Sequence, residues 1–247
     1  MNETIGLMRA HRSVRKYTDE AVASADVEAA VRAGQAAATS SAVQAYCVIR
    51  VTDPDRRAAI AELAGPQEKV RVAPEFFVVC ADSRRHRLLC EREGKRYEQE
   101  LEAFLVGVID ATLFAQNMVL AFESMGYGTC YIGGIRNDLP ALDRVLGLPE
   151  GVYPVFGVCV GRAAESPAER PRLGAEGVVF DDAYPSDGAM LAAIDTYDAR
   201  YRAYLRERGA SERQVDWAWG RAMGEKFATP SREALGAYYR SKGACLD

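Results

Sequence analysis

Residues 101–125 read LEAFLVGVIDATLFAQNMVLAFESM, in which Leu101, Phe104, Leu105, Val108, Ala111, Thr112, Ala115, Met118, Val119, Phe122 and Met125 recur at the i, i+3, i+4 spacing of one helix face. Val106, Ile109, Leu113, Phe114 and Leu120 cover much of the remaining surface, so the helix is apolar nearly all round. Such a helix must be buried on most sides, and burial inside one fold or across a subunit interface satisfies it equally. At 1.5 Å per residue it extends roughly 37 Å, enough to span a domain. Glu102, Asp110 and Glu123 within it argue against a membrane span.

The rest of the composition agrees with a globular chain. Of 247 residues, 49% are apolar and 27% charged, and 31 basic against 35 acidic residues leave a net charge of −4. No global basic field is present to bind nucleic acid, so any anion site must be local. The N-terminus has neither an apolar signal core nor a small-residue cleavage pattern, and a cytoplasmic protein is expected. Six cysteines are scattered without a C-x-x-C pair and there are two histidines, His11 and His86. Buried free thiols are expected, with neither a disulfide framework nor a metal centre.

Upstream of the long helix, Asn2 can cap a helix running to His11, and Ser24 one from Ala25 to about Ala37. Cys47–Val51 reads as a strand, Asp53–Leu63 as a helix opened by Asp53-Pro54, and Phe76–Ala81 as a strongly apolar strand. Residues 84–100 carry charges of both signs in quick succession, an exposed helix or excursion rather than a nucleic-acid patch. Downstream, Thr129–Arg136 reads as a strand whose tip carries Gly133 and Gly134, where backbone can approach a flat ligand closely. A helix over Leu139–Leu146 closed by Gly147, and a strand over Val152–Gly161, follow. Helices are then expected at Met190–Glu207, at Trp217 and Trp219, and at Arg232–Ser241 with Ser231 as cap. No internal repeat and no second-domain boundary is apparent.

The chemistry-bearing residues gather in a few loops. His11-Arg12-Ser13-Val14-Arg15-Lys16-Tyr17 holds three fixed cations and a histidine beside a hydroxyl, a set suited to phosphate oxygens. Taken alone, a solvated charge cluster at a helix end is the commoner explanation of such a segment. Thr39-Ser40-Ser41-Ala42-Val43-Gln44 is a hydroxyl-rich loop, which ligand binding and ordinary turn chemistry explain equally well. Gln67 and Lys69 follow the Gly65-Pro66 breaker, and Arg170-Pro171-Arg172 forms a second cationic site on a stiff backbone.

In this order and spacing, the His-Arg-Ser-Val-Arg-Lys-Tyr segment, Thr-Ser-Ser with Gln44, Gly-Pro-Gln67, Gln116-Asn117 on the long helix, Tyr-Ile-Gly-Gly-Ile-Arg-Asn at 131–137, Pro154–Gly161 and Arg-Pro-Arg resemble the nitroreductase and flavin reductase family, specifically its NADPH-preferring branch. The resemblance covers nearly the whole chain. It implies a single α+β domain over residues 1–247, with a central mixed sheet flanked by helices, a long buried central helix and a C-terminal helical extension from about 189. It also implies an intertwined homodimer with FMN at the interface. His11, Arg12, Ser13, Arg15, Arg170 and Arg172 would then hold the FMN phosphate and ribityl chain, with Lys16 facing solvent. Thr39, Ser40, Ser41 and Gln44 would reach the flavin from the partner subunit, Gln67 and Lys69 would address the polar edge of the ring, and Tyr131, Ile132, Gly133 and Gly134 would lie beside it.

The implied activity is transfer of two electrons from NADPH, by a ping-pong cycle, to flat electron-poor acceptors such as nitroaromatics or quinones. Arg206, Arg208 and Arg213 are candidates for the NADPH 2′-phosphate, and Arg232 for the substrate face. A reductase that releases free reduced FMN, and a noncatalytic flavin-binding redox sensor, are the competing readings. Ala42 and Val43 stand where relatives often carry a bulkier aromatic pair, and Arg170 where Lys is common, differences that bear on substrate preference more than on the cofactor.

Overall fold

Four short apolar runs form the sheet: β1 (Tyr46–Arg50), β2 (Glu75–Asp82), β3 (Gly128–Ile132) and β4 (Val152–Gly161), hydrogen-bonded in the order β1-β2-β4-β3. All eight residues of β2 are buried, as its near-continuous Phe-Phe-Val-Val-Cys-Ala run requires of a strand covered on both faces. The computed structural model describes residues 2–98 and 100–246, so Gln99 of the charged excursion lies outside the described residues. Every pairing among the four strands is antiparallel. The mixed sheet expected from the resemblance is thus corrected within these residues, where parallel pairing reduces to one bridge between Ser13 and Thr129. That pairing ends because the next backbone amides, of Arg15 and Lys16, turn to the Glu165 carboxylate at 2.6 and 3.2 Å.

The chain divides into two compact units. The first comprises Met1–Pro167 and Arg232–Asp247; it holds the sheet with α1 (Glu3–Arg9), α2 (Ser24–Gln35), α3 (Pro54–Leu63), α4 (Glu68–Val72), α5 (Arg84–Arg92), α6 (Leu101–Ser124) and α7 (Leu139–Leu146). The second, Ala168–Ser231, is helical, with α8 (Asp187–Glu207), α9 (Glu212–Asp216) and α10 (Trp219–Ala228). The chain then returns to the first unit as α11 (Ala234–Ser241).

Local signals fixed several helix ends. Asn2 accepts from the Ile5 amide, Asp53 from that of Arg56, and Gly147 closes α7 in the left-handed conformation. Three expectations differ. Ser24 is the first residue of α2 and makes no cap bond, Ser231 does not cap α11, and Trp217 and Trp219 fall on separate elements because the chain breaks at Ala218. The Gln67–Lys69 loop also continues into the short helix α4, and Gly133 and Gly134 open a 3-10 turn (Gly133–Asn137) where β3 ends.

α6 is the central strut. Ala111, Phe114, Ala115, Met118, Val119 and Phe122 bury against β2, β4 and α2, each large side chain contributing about 1.5–3 kcal/mol. α2 comes so near that a Cβ on Gly34 would meet the Phe114 ring at 2.7 Å. By length and composition α6 could cross a membrane, its best 18 residues averaging 1.7 in hydropathy, yet one face is part of this core. The opposite face is less covered than its sequence suggests: Leu101, Leu105, Ile109 and Leu113 are exposed at i, i+4 intervals.

One charged side chain interrupts the buried face. Asp110, 1% exposed, accepts from the Thr39 hydroxyl at 2.5 Å, the Ser40 amide at 3.1 Å and the Ala45 amide at 3.0 Å. It thereby anchors the loop that leads from α2 into β1. Removing the carboxylate strands these donors, so Asp110→Ala is expected to destabilise the fold by about 3 kcal/mol. Urea unfolding measures the loss, and limited proteolysis should find new cleavage between residues 39 and 45; unchanged stability and an intact loop would refute the anchor role.

Candidate active site

The basic segment His11–Lys16 follows α1 and runs beside β3, to which the Val14 amide ties it through the Thr129 carbonyl at 2.9 Å. The Tyr17 hydroxyl donates to the Val14 carbonyl at 2.6 Å, and burial pushes that phenol far above its ordinary range, so it stays a neutral donor. Arg12 is folded back on the carbonyls of Arg9 and His11, while Arg15 reaches the Ser13 carbonyl at 3.1 Å. Lys16 is exposed, with its backbone amide on Glu165.

At the other end of β3 the glycine turn meets Gln67. The Gln67 side-chain amide donates to the Ala64 carbonyl at 2.7 Å, and a Cβ on Gly134 would fall 2.3 Å from that carbonyl and 2.4 Å from Gln67 Nε2. Only glycine permits this approach. Lys69 starts on the same side, its carbonyl accepting from the Cys159 thiol at 3.4 Å, and both Lys69 and Arg15 act on the charge of Cys130. Tyr131 sits edge-on to Phe156 and stays a neutral phenol, pushed up by burial and secondarily by Glu123. The structure therefore brings His11–Arg15, Gln67, Lys69 and Tyr131–Gly134 onto one edge of the first unit.

The Thr39–Gln44 loop stands apart from that edge. Thr39 spends its hydroxyl on Asp110 and accepts the Gln44 amide at 2.8 Å, so it shapes the loop, while Ser40, Ser41 and Gln44 are exposed. Ser41, Ala42 and Gln44 all hold positive φ, at 47, 58 and 53°. Left-handed backbone costs a non-glycine residue about 1–2 kcal/mol, and three in four residues persist only because Asp110 over-determines the loop. Asp110 and Glu123, which contacts His11, are thirteen residues apart on α6, about 20 Å along the axis.

Two arginines flank the turn. Arg136 donates to the Val155 carbonyl, and burial followed by the nearby Arg232 charge lowers its pKa. Arg232, left-handed at φ 55°, donates to Asn137 Oδ1 at 3.0 Å. Neither meets a carboxylate in an ion pair among the described residues, and the same holds for Arg15, Lys69, Arg170 and Arg172. A set of cations left without acids suits a phosphate ester and a flavin's carbonyl edge.

In the second unit Arg170 and Arg172 are exposed, and their loop is held by the Tyr197 hydroxyl on the Pro171 carbonyl at 3.1 Å. Arg206 is exposed in the last turn of α8, and Arg208 lies over the Tyr204 ring at 5.3 Å. Arg213 lines a cavity of about 470 Å³ with Tyr201, Leu205, Gln214 and Trp217. The three arginines grouped by the sequence thus have different surroundings. The sequence reading assigned no role at the site to Asp110 and Glu123, although a carboxylate on an apolar helix face was the available signal.

Three of the six thiols offer no competing chemistry. Cys80, Cys130 and Cys159 are buried, and their pKa values are raised, for Cys80 first by the hydrogen bond between it and Cys47, which favours the neutral Cys80 thiol, and for the other two by burial. Thiols so held are poor nucleophiles and poor redox sensors.

Comparison with known proteins identifies the family of the chain. Residues 8–162 match the model of the Nitroreductase family, and residues 170–247 that of the Nitroreductase family, C-terminal domain. The chain is 41% identical over 222 residues to an FMN reductase (NADPH) of Bacillus subtilis, covering 88% of this chain and 89% of that one. It is 40% identical over 219 residues to an oxygen-insensitive NADPH nitroreductase of Salmonella typhimurium, with the same coverage. The structure of the NADPH:FMN oxidoreductase from Vibrio harveyi, complexed with NAD+, superposes with a TM-score of 0.90 at 36% identity over the whole of both chains. With two family models matched in order and relatives this similar over most of its length, the chain belongs to the nitroreductase family.

Proposed function

We propose that this chain is an FMN-dependent oxidoreductase that takes two electrons from NADPH and passes them to flat, electron-poor acceptors such as nitroaromatics or quinones. The observation that carries it is the grouping of Arg15, Lys69, Tyr131–Gly134 and Gln67 along one edge, with cations that form no carboxylate ion pair among the described residues beside a turn in which Gly134 leaves no room for a side chain. Release of free reduced FMN is the second reading, favoured by the FMN reductase among its relatives.

FMN, when bound, supplies the redox chemistry, accepting reducing equivalents from NADPH and handing them on. The chain's own residues bind and orient. His11, Arg12, Ser13 and Arg15, joined by Arg170 and Arg172, neutralise the phosphate, and Gly133 and Gly134 bring backbone to the ring. Gln67 and Lys69 donate to its polar edge, where a cation offsets negative charge. Arg232, steadied by Asn137, borders the substrate face. Arg213, in its aromatic cavity, is the strongest candidate of its group for the NADPH 2′-phosphate.

A homodimer completes the site. Asp110 holds Thr39–Gln44 about 20 Å along α6 from the contact of Glu123 with His11, so the hydroxyl loop that serves one flavin comes from a second copy. The exposed stripe Leu101, Leu105, Ile109 and Leu113 is the apolar surface such a pairing would cover. A cytoplasmic location suits the supply of NADPH.

Anaerobic addition of NADPH to FMN-loaded protein should bleach the flavin absorbance, and a nitroarene or quinone should restore it. Bound flavin that is not bleached would refute the enzyme reading, and restoration by free FMN alone would favour the second one. Arg15→Ala and Arg172→Ala should each weaken FMN binding at least about tenfold by fluorescence titration, a charge-assisted bond being worth about 1.5–3 kcal/mol; wild-type affinity in either would show that the two basic loops do not share one phosphate. Ile109→Glu should shift the protein from dimer to monomer in sedimentation velocity and lower flavin content, whereas a dimer with full flavin would remove the stripe from the interface.

A further inference from the structure

Glu123 lies one residue from the end of α6, where the helix dipole already disfavours a negative charge, and its side chain is only 9% exposed. Its Oε1 takes the Thr129 hydroxyl at 2.7 Å and meets His11 Nδ1 at 2.7 Å, while Oε2 is buried with no hydrogen-bond partner among the described residues. A carboxylate accepts only, so the imidazole nitrogen facing it must carry a hydrogen. The other ring nitrogen, Nε2, makes no hydrogen bond among the described residues, and the ring is 29% exposed. The same threonine fixes the backbone beside the ring, since its carbonyl receives the Val14 amide. An amide at position 123 could accept from both donors without burying a charge. The carboxylate therefore adds something that a structural latch does not need, namely charge directed at the imidazole.

We propose that Glu123 is the positioning residue for the phosphate end of the site: it holds His11 with Nδ1 inward, so that Nε2 faces the phosphate monoester of FMN, and it balances the charge of a ring that donates at both nitrogens. The proposal rests on the FMN reading above and adds to it the group that aims the histidine. Arg12, which lines a cavity with Glu123, and Tyr131, whose phenol senses its charge, are the other ionisable groups near the carboxylate.

Riboflavin, which has the ring and ribityl chain of FMN without the phosphate, separates this role from a structural one. Apoprotein is titrated with both flavins by fluorescence quenching in the wild type, Glu123→Gln and Glu123→Asp. In both variants the FMN dissociation constant should rise about tenfold while that for riboflavin is unchanged. A parallel fall in both affinities, or no fall in either, overturns the proposal. A wild type that does not prefer FMN overturns the proposal together with the phosphate assignment. If Arg15→Ala loses the FMN preference while Glu123→Gln keeps it, the assignment stands and the proposal alone fails.

A measurement on the wild type guards against variants that do not fold. With only two histidines, the ring nitrogen-15 spectrum is readily assigned. In the FMN complex both nitrogens of His11 should be protonated, and a deprotonated Nε2 overturns the proposal.

Discussion

Everything at the candidate site depends on what α6 carries at two points along its length. A helix this apolar could fold as a plain core strut, and most of its buried face is one. Asp110 and Glu123 make it a template instead. Asp110 takes hydrogen bonds from the Thr39–Ala45 loop, and Glu123 meets His11 of the basic segment and Thr129 of β3, so two separate segments are tied to one rigid rod. The cost of desolvating a carboxylate is offset at Asp110 by three donors, which is why a loop with three left-handed residues can persist there.

The spacing of the two anchors is what makes the proposed flavin site a joint property of two chains. Within one chain the hydroxyl loop and the basic segment are set apart by the stiffness of the helix that bears them. In the proposed dimer one pairing would both cover the exposed leucine and isoleucine stripe and supply the hydroxyl loop. Two acceptor readings remain natural for the proposed site, because a cofactor-centred site selects acceptors by shape and edge charge, which Arg136 and Arg232 would supply there.

Much of this was legible in the sequence, for identifiable reasons. Helix periodicity placed α6 because its signal repeats over more than six turns, and β4 was read to the residue because an apolar run ends in glycine. The glycine pair was assigned to a strand tip, and the structure supplies the reason glycine is needed, the contact of Gly134 with Ala64 and Gln67. What stayed hidden are relations across distance. Sequence pattern does not tell that Ser13 pairs with Thr129, that Glu165 accepts amides 150 residues upstream, or that the hydroxyl of Thr39 is already committed to Asp110. Ser24 and Ser231 failed as caps in opposite senses: α2 begins early enough to take Ser24 into its first turn, with Ala23 at the cap, whereas α11 begins beyond Ser231, with Glu233 at the cap.

The return of the chain to its first unit after residue 231 governs the order in which the protein can be made. Tyr238 and Tyr239 on α11 belong to the same buried cluster as Phe76 and Ile132, and the Tyr239 hydroxyl donates to the Pro154 carbonyl at 2.6 Å. During synthesis the first 167 residues therefore leave the ribosome with an incomplete core, and they wait through the whole of the second unit for the residues that close it. The helical unit, contiguous in sequence, is free to fold before the sheet that precedes it is sealed. A nascent chain of this design is most exposed to aggregation and to chaperones just before residues 232–247 emerge.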